Sequence, residues 1–553
     1  MAKRNSLNAA HLLVRCLENE GVKYVFGIPG EENIHFVDAL NGSSIRFILV
    51  RHEQGAAFMA DMYGRLTGRA GVCIATLGPG AINLLLGVAD AHTDSAPLVA
   101  ISAQVALSRI YKESHQGVDL VTMFRPVTKW ADIVLRPDAI PEMVRKAFKV
   151  AQTERPGAVY LAVPEDVEQL SIPRDVAPLA INVVYDMAPS ASQVRRAAEV
   201  LKSTKSPVIL AGHGAARNDA SEALVRFSEQ LSIPVATTFM GKGVFPDDHP
   251  NALGALGFMR HDYVNFGFDR ADVIVCVGYD LQEYAPERIN PDARKKIIHI
   301  HRYPAEVDAH YHIAVGIEGN IPQSLDALAK AVKKSSGPAA AGAKIRALLR
   351  KELDRGANDD SFPVKPQRFV ADIRRAMGRS DIVLVDTGAV KMWMARLYPT
   401  YAANTCLISN GLATMGFALP GAIATKLAYP DRKVLAVMGD GSFLMNSQEL
   451  ETAVREKIPF VVLVWADGAY GLIKWKMDLE LGHHSNCDFT NPDFVVYAES
   501  LGMKGFRVRA AAELLPTLCR ALADDSVSLV VCPVDYSENL ALTKMLGEIT
   551  DPF

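Results

Sequence analysis

The sequence predicts an α/β protein with three open parallel-sheet domains, and two observations carry this prediction. Short runs rich in β-branched residues alternate with segments of helical period along the chain, as in "IRFILV", "GVCIATL", "SPVILAG", "DIVLVD" and "FVVLVWA". This alternation is typical of parallel sheets covered by helices. The chain has 553 residues, and because a domain usually has about 100 to 200 residues, we expect three to four domains.

Two stretches rich in Pro, Ala, Ser and Gly interrupt the alternation, at 171–193 and 333–366. We interpret both as linkers, since such compositions do not form a packed element. The predicted domains are therefore 1–170, 190–335 and 362–535, followed by a C-terminal tail at 536–553. The first and third domains share one order of features, namely strand, glycine turn, acid and helix.

The composition favours small-molecule partners. Lys and Arg number 59 against 62 Asp and Glu, a net charge of −3. With no basic stripe, we expect neither nucleic-acid nor membrane binding, and no apolar run approaches the ~20 residues that span a bilayer. The seven cysteines are dispersed without CxxC spacing, so we expect no zinc site, no disulfide framework and a cytoplasmic location.

Two acids mark the third predicted domain. "KVLAVMGDG" predicts a buried strand that ends in a glycine turn, residues 447–456 predict a crossover helix, and "FVVLVWADG" predicts the next strand. Because both strands of a right-handed crossover point the same way, Asp440 and Asp467 should emerge at one sheet edge, where α/β proteins bind ligands. Two carboxylates there suit Mg²⁺ carrying a phosphorylated ligand. The alternative is that each Asp caps a turn or helix.

Other candidate positions are weaker when taken alone. Gly388 to Val390 follow the strand "DIVLVD" and predict a phosphate-binding turn. Glu53 lies where a strand becomes a helix, and interaction with the helix dipole would explain it without a function. The turns in "VFGIPGEEN" and "ATLGPGAINLL" are consistent with plain tight turns, and Met415 by itself predicts core packing.

Taken together, these motifs resemble the thiamine-diphosphate-dependent 2-oxoacid enzymes, and most closely the acetolactate synthases, over nearly the whole chain. The family signature for metal and diphosphate is GDG followed one crossover later by Asn or Asp, and here it reads "GDG" and "ADGAYG". "RHEQGAAFMADMYGR" is similar to the motif around the family's catalytic glutamate. The resemblance implies pyrimidine-binding, central and diphosphate-binding domains.

The resemblance also implies the cofactor residues. Magnesium would be held by the side chains of Asp440 and Asp467 and the carbonyl of Ala469. Thiamine diphosphate would be bound by Pro29, Glu53, Asn83, Gly388, Ala389, Val390, Met415, Gly439, Gly441, Ser442, Tyr470, Gly471 and Leu472. Glu53 would be catalytic, since the family's glutamate hydrogen-bonds the pyrimidine ring and promotes loss of the C2 proton. Met415 would support the bent cofactor rather than fill a core.

Substrate residues follow from the same resemblance. Gln116 in "ESHQG" matches a catalytic and substrate-positioning glutamine of the family, and Lys129 in "VTKW" matches a family lysine. Leu472 and Ile473 would shape the donor site. The segment "KWKMDLELGHHSN" departs from both subfamilies at the acceptor-selecting position, which falls on Lys476 with Trp475 beside it. The resemblance therefore leaves the acceptor open.

Two further expectations concern FAD and assembly. The FAD-contacting "GxRFDDR" of the biosynthetic synthases is replaced by "VGYDLQEYAPERINP" at 277–291, as in the FAD-free catabolic type. We therefore expect thiamine diphosphate and Mg²⁺ without FAD. In the family, the glutamate and the diphosphate site of one active centre come from different subunits, which implies a homodimer or a dimer of dimers.

The predicted function is that of an acetolactate synthase, which decarboxylates pyruvate and joins the remaining two carbons to a second 2-oxoacid. One alternative is a 2-oxoacid decarboxylase that releases an aldehyde. Such enzymes usually carry paired histidines near the cofactor, whereas "RHE" and "SHQ" contain single ones. Another alternative is a non-catalytic nucleotide-binding module that uses the same turns.

Overall fold

The computed structural model describes residues 7–172, 175–182, 186–332 and 340–549. Within these ranges the strands form three six-stranded sheets, and every paired strand within them is parallel. The predicted fold class is confirmed. Most strand residues are buried, because helices cover the sheets. None of the helices in the described ranges combines the length and apolar character needed to span a bilayer.

The first sheet has the strand order β2-β1-β3-β4-β6-β5. Its strands are β1 Tyr24–Gly27, β2 Arg46–Leu49, β3 Gly71–Ala75, β4 Leu98–Gln104, β5 Trp130–Ile133 and β6 Ala158–Pro164. The helices of this region are α1 Ala9–Asn19, α2 Ile34–Leu40, α3 Glu53–Thr67, α4 Pro79–Thr93, α5 Leu120–Phe124, α6 Ile140–Gln152 and α7 Glu165–Gln169.

The central sheet has the order β12-β11-β10-β7-β8-β9. Its strands are β7 Pro207–Ala211, β8 Val235–Thr238, β9 Ala252–Leu256, β10 Val273–Val277, β11 Lys296–His301 and β12 Ile313–Glu318. Its helices are α8 Ala191–Ser203, α9 His213–Arg217, α10 Ser221–Leu231, α11 Asn265–Asp269, α12 Ile321–Val332 and α13 Ala340–Gly356.

The third sheet has the order β14-β13-β15-β16-β18-β17. Its strands are β13 Ile382–Val385, β14 Cys406–Ile408, β15 Val434–Gly439, β16 Val461–Ala466, β17 Lys504–Arg507 and β18 Ser528–Pro533. The helices of this part of the chain are α14 Pro366–Ala376, α15 Ala389–Leu397, α16 Ala418–Ala428, α17 Asp440–Asn446, α18 Glu449–Arg455, α19 Gly471–Leu481, α20 Phe494–Ser500, α21 Ala511–Leu522 and α22 Asn539–Glu548.

The chain divides into two compact units. The first comprises Met1–Val184, Leu419–Pro430 and Asn446–Ile458, and the second comprises Tyr185–Ala418, Asp431–Met445 and Pro459–Phe553. The segment predicted as a second linker contains helix α13, while its residues 333–339 lie outside the described residues. Residues 173–174 and 183–185 of the first linker also lie outside them, so the domain boundaries remain predictions.

Candidate active site

Asp440 and Asp467 lie together at the carboxyl edge of the third sheet. Strands β15 and β16 are adjacent and parallel, with Gly439 paired to Trp465, and each acid directly follows its strand. This confirms the predicted crossover arrangement. The connection contains two short helices, α17 and α18, rather than the single predicted helix at 447–456.

The Asp440 carboxylate is fully buried and held by four donors. Its Oδ2 accepts hydrogen bonds from the backbone N–H groups of Asp467 (3.1 Å) and Gly468 (2.7 Å) and from Nδ2 of Asn491 (2.8 Å). Its Oδ1 accepts from the N–H of Gly441 at 2.9 Å. Burial and the neighbouring Asp440 raise the pKa of Asp467 to about 7. A bound cation would stabilise the charged forms of both carboxyl groups.

Beside this pair lies a cavity of about 100 Å³. It is lined by thirteen of the predicted cofactor, metal and substrate residues, namely Gly388, Ala389, Val390, Met415, Gly439, Gly441, Ser442, Asp467, Ala469, Tyr470, Gly471, Leu472 and Ile473. Thr387 and Tyr536 complete the lining and were not predicted. Most of the sequence-predicted residues of the third domain are therefore brought together around one cavity, although Asp440 and Lys476 are not part of its lining.

The turn at the start of α15 leaves room for a ligand. Gly388 has φ +136° and ψ −163°, and a Cβ added there would meet no atom within 4 Å. A non-glycine residue would be strained at this φ. Among the described residues, the buried hydroxyl of Thr387 has no hydrogen-bond partner. An open glycine turn with an unsatisfied hydroxyl beside it suits the oxygens of a phosphate.

Asp386 ties this turn to the one that carries Met415. Its carboxylate is fully buried and accepts from the N–H groups of Thr387 (2.8 Å), Gly416 (2.9 Å) and Ala418 (2.9 Å). Burial raises the pKa of this carboxyl group to about 6. Asp386 is not among the sequence-predicted residues, although an acid directly before the glycine turn in "VDTG" was a usable signal.

Helix α19 divides its residues between the cavity and the protein interior. Leu472 and Ile473 line the cavity from the first turn. Lys476 is exposed one turn later, on the side of the helix that these two residues occupy. Trp475 is buried, and its Nε1 donates to Oγ1 of Thr543 at 2.8 Å. Of the two residues at the acceptor-selecting position, Lys476 is the one that remains accessible to a substrate.

Glu53 lies at the carboxyl edge of the first sheet. It is the first residue of α3, four positions after the end of β2. The side chain is 9% exposed, and its Oε2 accepts from Nδ2 of Asn83 at 3.0 Å. A Cβ added to Gly80 would lie 3.2 Å from Oε1, so the small residue at that position makes room for the carboxylate. The predicted residues Glu53 and Asn83 are thus in direct contact.

A second buried acid supports the backbone in front of Glu53. The Glu449 carboxylate accepts from the N–H groups of Arg51 (3.2 Å) and His52 (2.9 Å), and burial raises its pKa to about 7. Gly55 is needed here, because a Cβ would lie 2.8 Å from the Glu449 carboxyl carbon. No local sequence signal links Glu449 to a segment nearly 400 positions earlier in the chain.

Two other predicted residues belong to turns at this edge. Pro29 is exposed just after β1, and the following Gly30 packs so tightly on Thr76 that an added Cβ would lie 2.3 Å from the Thr76 Cβ. The Gln116 backbone lies against Gly78 at the start of α4, where a Cβ would approach the Gln116 carbonyl oxygen to 2.6 Å. The Gln116 side chain is exposed and therefore open to a ligand.

Lys129, predicted as a substrate residue, binds backbone carbonyl groups of its own chain in this structure. Lys129 precedes β5, so it lies at the amino edge of the sheet, opposite the edge that carries Glu53. Its ammonium group donates to the carbonyl oxygens of Val150 (2.6 Å), Thr153 (2.7 Å) and Arg155 (2.7 Å). A cation that satisfies carbonyl groups at a helix C-terminus, here that of α6, is a structural cap.

The residues around the third-sheet cavity fit magnesium diphosphate. Asp440, Asp467 and the Ala469 carbonyl offer only oxygen ligands, which Mg²⁺ prefers. The raised pKa of Asp467 reflects its burial and the nearby Asp440 carboxylate, and a divalent cation would relieve the repulsion between the two acids. The open turn at Gly388 and the unsatisfied Thr387 hydroxyl suit the diphosphate.

Comparison with known proteins gives matches along almost the whole chain. The family descriptions "Thiamine pyrophosphate enzyme, N-terminal TPP binding domain", "central domain" and "C-terminal TPP binding domain" match residues 7–123, 194–328 and 386–532. These three ranges fall on the first, central and third sheets.

Individual relatives carry one enzyme name. A probable acetolactate synthase large subunit of Methanocaldococcus jannaschii is 36% identical over 99% of this chain and 95% of its own length. A catabolic acetolactate synthase of Raoultella terrigena is 36% identical over 98% of each chain. An acetolactate synthase of Bacillus subtilis is 34% identical over 98% of this chain and 96% of its own.

Proposed function

Because this chain belongs to the family of thiamine-diphosphate-dependent enzymes that includes the acetolactate synthases, we propose that it decarboxylates pyruvate and joins the remaining two carbons to a second 2-oxoacid, giving 2-acetolactate. The observation that carries this proposal is the pair of acids beside the glycine-lined cavity of the third sheet. Full-length relatives named as acetolactate synthases support the same reaction.

The chain's own residues have distinct tasks in this proposal. Asp440, Asp467 and the Ala469 carbonyl would hold Mg²⁺. The Gly388 turn, Gly441 and Ser442 would hold the diphosphate, as would the Thr387 hydroxyl. When bound, thiamine diphosphate supplies a nucleophilic carbon and an electron sink for decarboxylation.

The groups proposed to act on the substrate come from the regions of the first and the third sheets. Glu53 would hold at its carboxyl oxygen the proton shared with the pyrimidine ring, while Asn83 fixes the other oxygen. Leu472 and Ile473 would exclude water from the donor site, which favours loss of a charged carboxylate. Gln116 would orient the substrate, and Lys476 would contact the acceptor.

We propose thiamine diphosphate and Mg²⁺ as the cofactors, without FAD, since the segment 277–291 lacks the FAD-contacting motif of the biosynthetic synthases. A cytoplasmic location is part of the same proposal. It is supported by the seven cysteines, all of which are free thiols.

The proposed assembly is a homodimer or a dimer of dimers, in which Glu53 of one chain serves the cavity of a second chain. The family resemblance supports it. So do apolar side chains that a second copy could cover, namely Ile82 and Leu86 on α4 (each 41% exposed) and Leu444 and Met445 on α17 (38% and 41%).

A product assay tests the reaction. The chain is incubated with thiamine diphosphate, Mg²⁺ and pyruvate, and acetolactate and acetaldehyde are measured separately. We expect acetolactate to accumulate. Acetaldehyde alone would identify a simple decarboxylase, and no turnover together with stabilisation by ADP would identify a nucleotide-binding module.

Mixing two inactive variants tests the assembly. Glu53→Gln and Asp440→Ala chains are unfolded and refolded together, so that mixed dimers form. If the two groups of one site come from different chains, each mixed dimer has one intact site, and about a quarter of wild-type activity should return. No recovery, with mixed dimers shown to be present, would place both groups in one chain.

A further inference from the structure

The central sheet has the architecture of a dinucleotide-binding domain. Its strand order places β7 beside β10, and the order of the remaining strands reverses at that point. In open α/β sheets, ligands bind outside the carboxyl ends of the strands at such a switch point, with the phosphates near the first glycine turn. Gly212 and Gly278 directly follow the two strands.

A carboxylate of the chain itself occupies this point. Glu283 is 2% exposed and accepts from the backbone N–H of His213 (3.1 and 2.9 Å to its two oxygens) and from the N–H of Asp280 (3.1 Å). The hydroxyl of Thr238 also donates to it. His213 lies just after β7, Asp280 lies just after β10, and Thr238 is the last residue of β8. One carboxyl group therefore accepts hydrogen bonds from the ends of three neighbouring strands.

The glycine turns are closed around this carboxylate. A Cβ added to Gly212 would lie 2.7 Å from Oε1 of Glu283 and 2.6 Å from the carbonyl oxygen of Gly278. A Cβ on Gly278 would lie 2.0 Å from the backbone nitrogen of Ala215. In the third sheet, by contrast, the turn at Gly388 has open space in front of it. Gly212 and Gly278 are therefore needed because other parts of the chain pack closely against them, and they leave no space for a ligand.

The charges at the switch point also oppose a phosphate. Asp280 is a second buried carboxylate, paired with Arg217 at 3.5 Å and with Nε2 of His301 at 3.4 Å. Burial and the neighbouring Asp280 raise the pKa of Glu283 to about 7. A diphosphate placed among these acids would add further negative charge in a region of weak screening, where like charges repel strongly.

From these contacts we infer that the Glu283 carboxyl group fills the phosphate position of the central sheet, and that it closes this sheet to FAD and other dinucleotides. The inference concerns the central sheet alone and does not depend on the reaction proposed for the third sheet. The segment 277–291 therefore does more than lack the FAD-contacting motif. It supplies Glu283, whose carboxyl group fills the phosphate position.

The first test removes the carboxylate. In the holoenzyme saturated with thiamine diphosphate and Mg²⁺, Glu283→Ala removes the carboxyl group that accepts hydrogen bonds from His213, Asp280 and Thr238. We expect a lower Tm than in the wild type, and a rise of several degrees when formate or inorganic phosphate is added, because either anion can replace the lost group. The wild type and the exposed control Glu287→Ala should show neither effect.

Two further measurements keep the inference falsifiable if Glu283→Ala does not fold. Glu283→Gln keeps the shape of the side chain, so it should have a lowered Tm that formate does not restore. FAD titrated against the wild-type holoenzyme should show no saturable quenching of flavin fluorescence. Saturable FAD binding by the wild type would overturn the inference, as would a folded Glu283→Ala with an unchanged Tm and no response to anions.

Discussion

The first and third sheets share one strand order, but the acids at their carboxyl edges have different surroundings. In the first sheet, Glu53 pairs with the amide of Asn83. In the third, burial and the neighbouring Asp440 carboxylate raise the pKa of Asp467 to about 7. A carboxylate with one neutral partner is suited to holding a proton, whereas a repelling pair among oxygen ligands is suited to a cation.

The largest expected effect is that of Glu53→Gln. The amide keeps the shape of the side chain but cannot exchange a proton, so we expect kcat to fall by about 10² or more, the usual scale for a general acid or base. The measurement is pyruvate turnover with thiamine diphosphate and Mg²⁺ at saturation. The exposed Glu31→Gln, in the short 3-10 helix after β1, is the control. Near-wild-type turnover in Glu53→Gln would remove the catalytic assignment.

Two substitutions of Asp467 should show whether this residue acts as a metal ligand or as a proton-transfer group. An amide oxygen can still coordinate Mg²⁺ and adds no charge beside an anionic cofactor, so Asp467→Asn should keep substantial activity. Asp467→Ala removes the ligand and should weaken Mg²⁺ binding by at least about 10²-fold, since even outer-sphere partners contribute about 10- to 100-fold. Mg²⁺ titration of activity and of Tm measures both. Equal losses in the two variants would contradict the cation site.

The sequence predicted the features that depend on local order along the chain. The strand–turn–helix pattern around "GDG" was sufficient to place Asp440 and Asp467 at one edge, because adjacent parallel strands leave their carboxyl ends together. The same pattern identified the turn at Gly388. The shared order of features in the first and third domains corresponds to a shared strand order in the two sheets.

The features that the sequence did not reveal depend on contacts between distant segments. Asn491 lies 51 positions after Asp440, and Glu449 lies 397 positions after His52, so no periodicity links the members of either pair. Glu283 was part of a segment noted for the motif it lacks, and its carboxylate finds its donors only when three strands align. The local sequence pattern shows where an acidic residue lies along a strand. The tertiary fold determines which groups donate hydrogen bonds to its carboxylate.

Asn491 tests whether the third-sheet pair depends on such a distant contact. Asn491→Ala removes the amide that fixes Oδ2 of Asp440. We expect Mg²⁺ affinity to fall by about 10- to 100-fold, the range for groups that orient a metal ligand, while turnover at saturating Mg²⁺ recovers. Isothermal titration with Mg²⁺ and thiamine diphosphate measures the affinity directly. The adjacent exposed Thr490→Ala is the control, and an unchanged affinity in Asn491→Ala would show that the backbone donors suffice.

Substitution of Lys129 should have the smallest effect on catalysis. Lys129 lies at the amino edge of the first sheet, opposite the carboxyl edge that carries Glu53. It is among the predicted substrate residues because it matches a family lysine, but its ammonium group caps three carbonyl groups around the end of α6. Lys129→Met should lower the free energy of unfolding by about 1.5 to 3 kcal/mol, the range for hydrogen bonds to a charged group. It should leave kcat/KM within about twofold, since the edge that carries Glu53 lies at the other end of the strands. Thermal unfolding and steady-state kinetics, with the exposed Lys149→Met on α6 as control, measure the two effects; a fall in kcat/KM at unchanged stability would restore the substrate role.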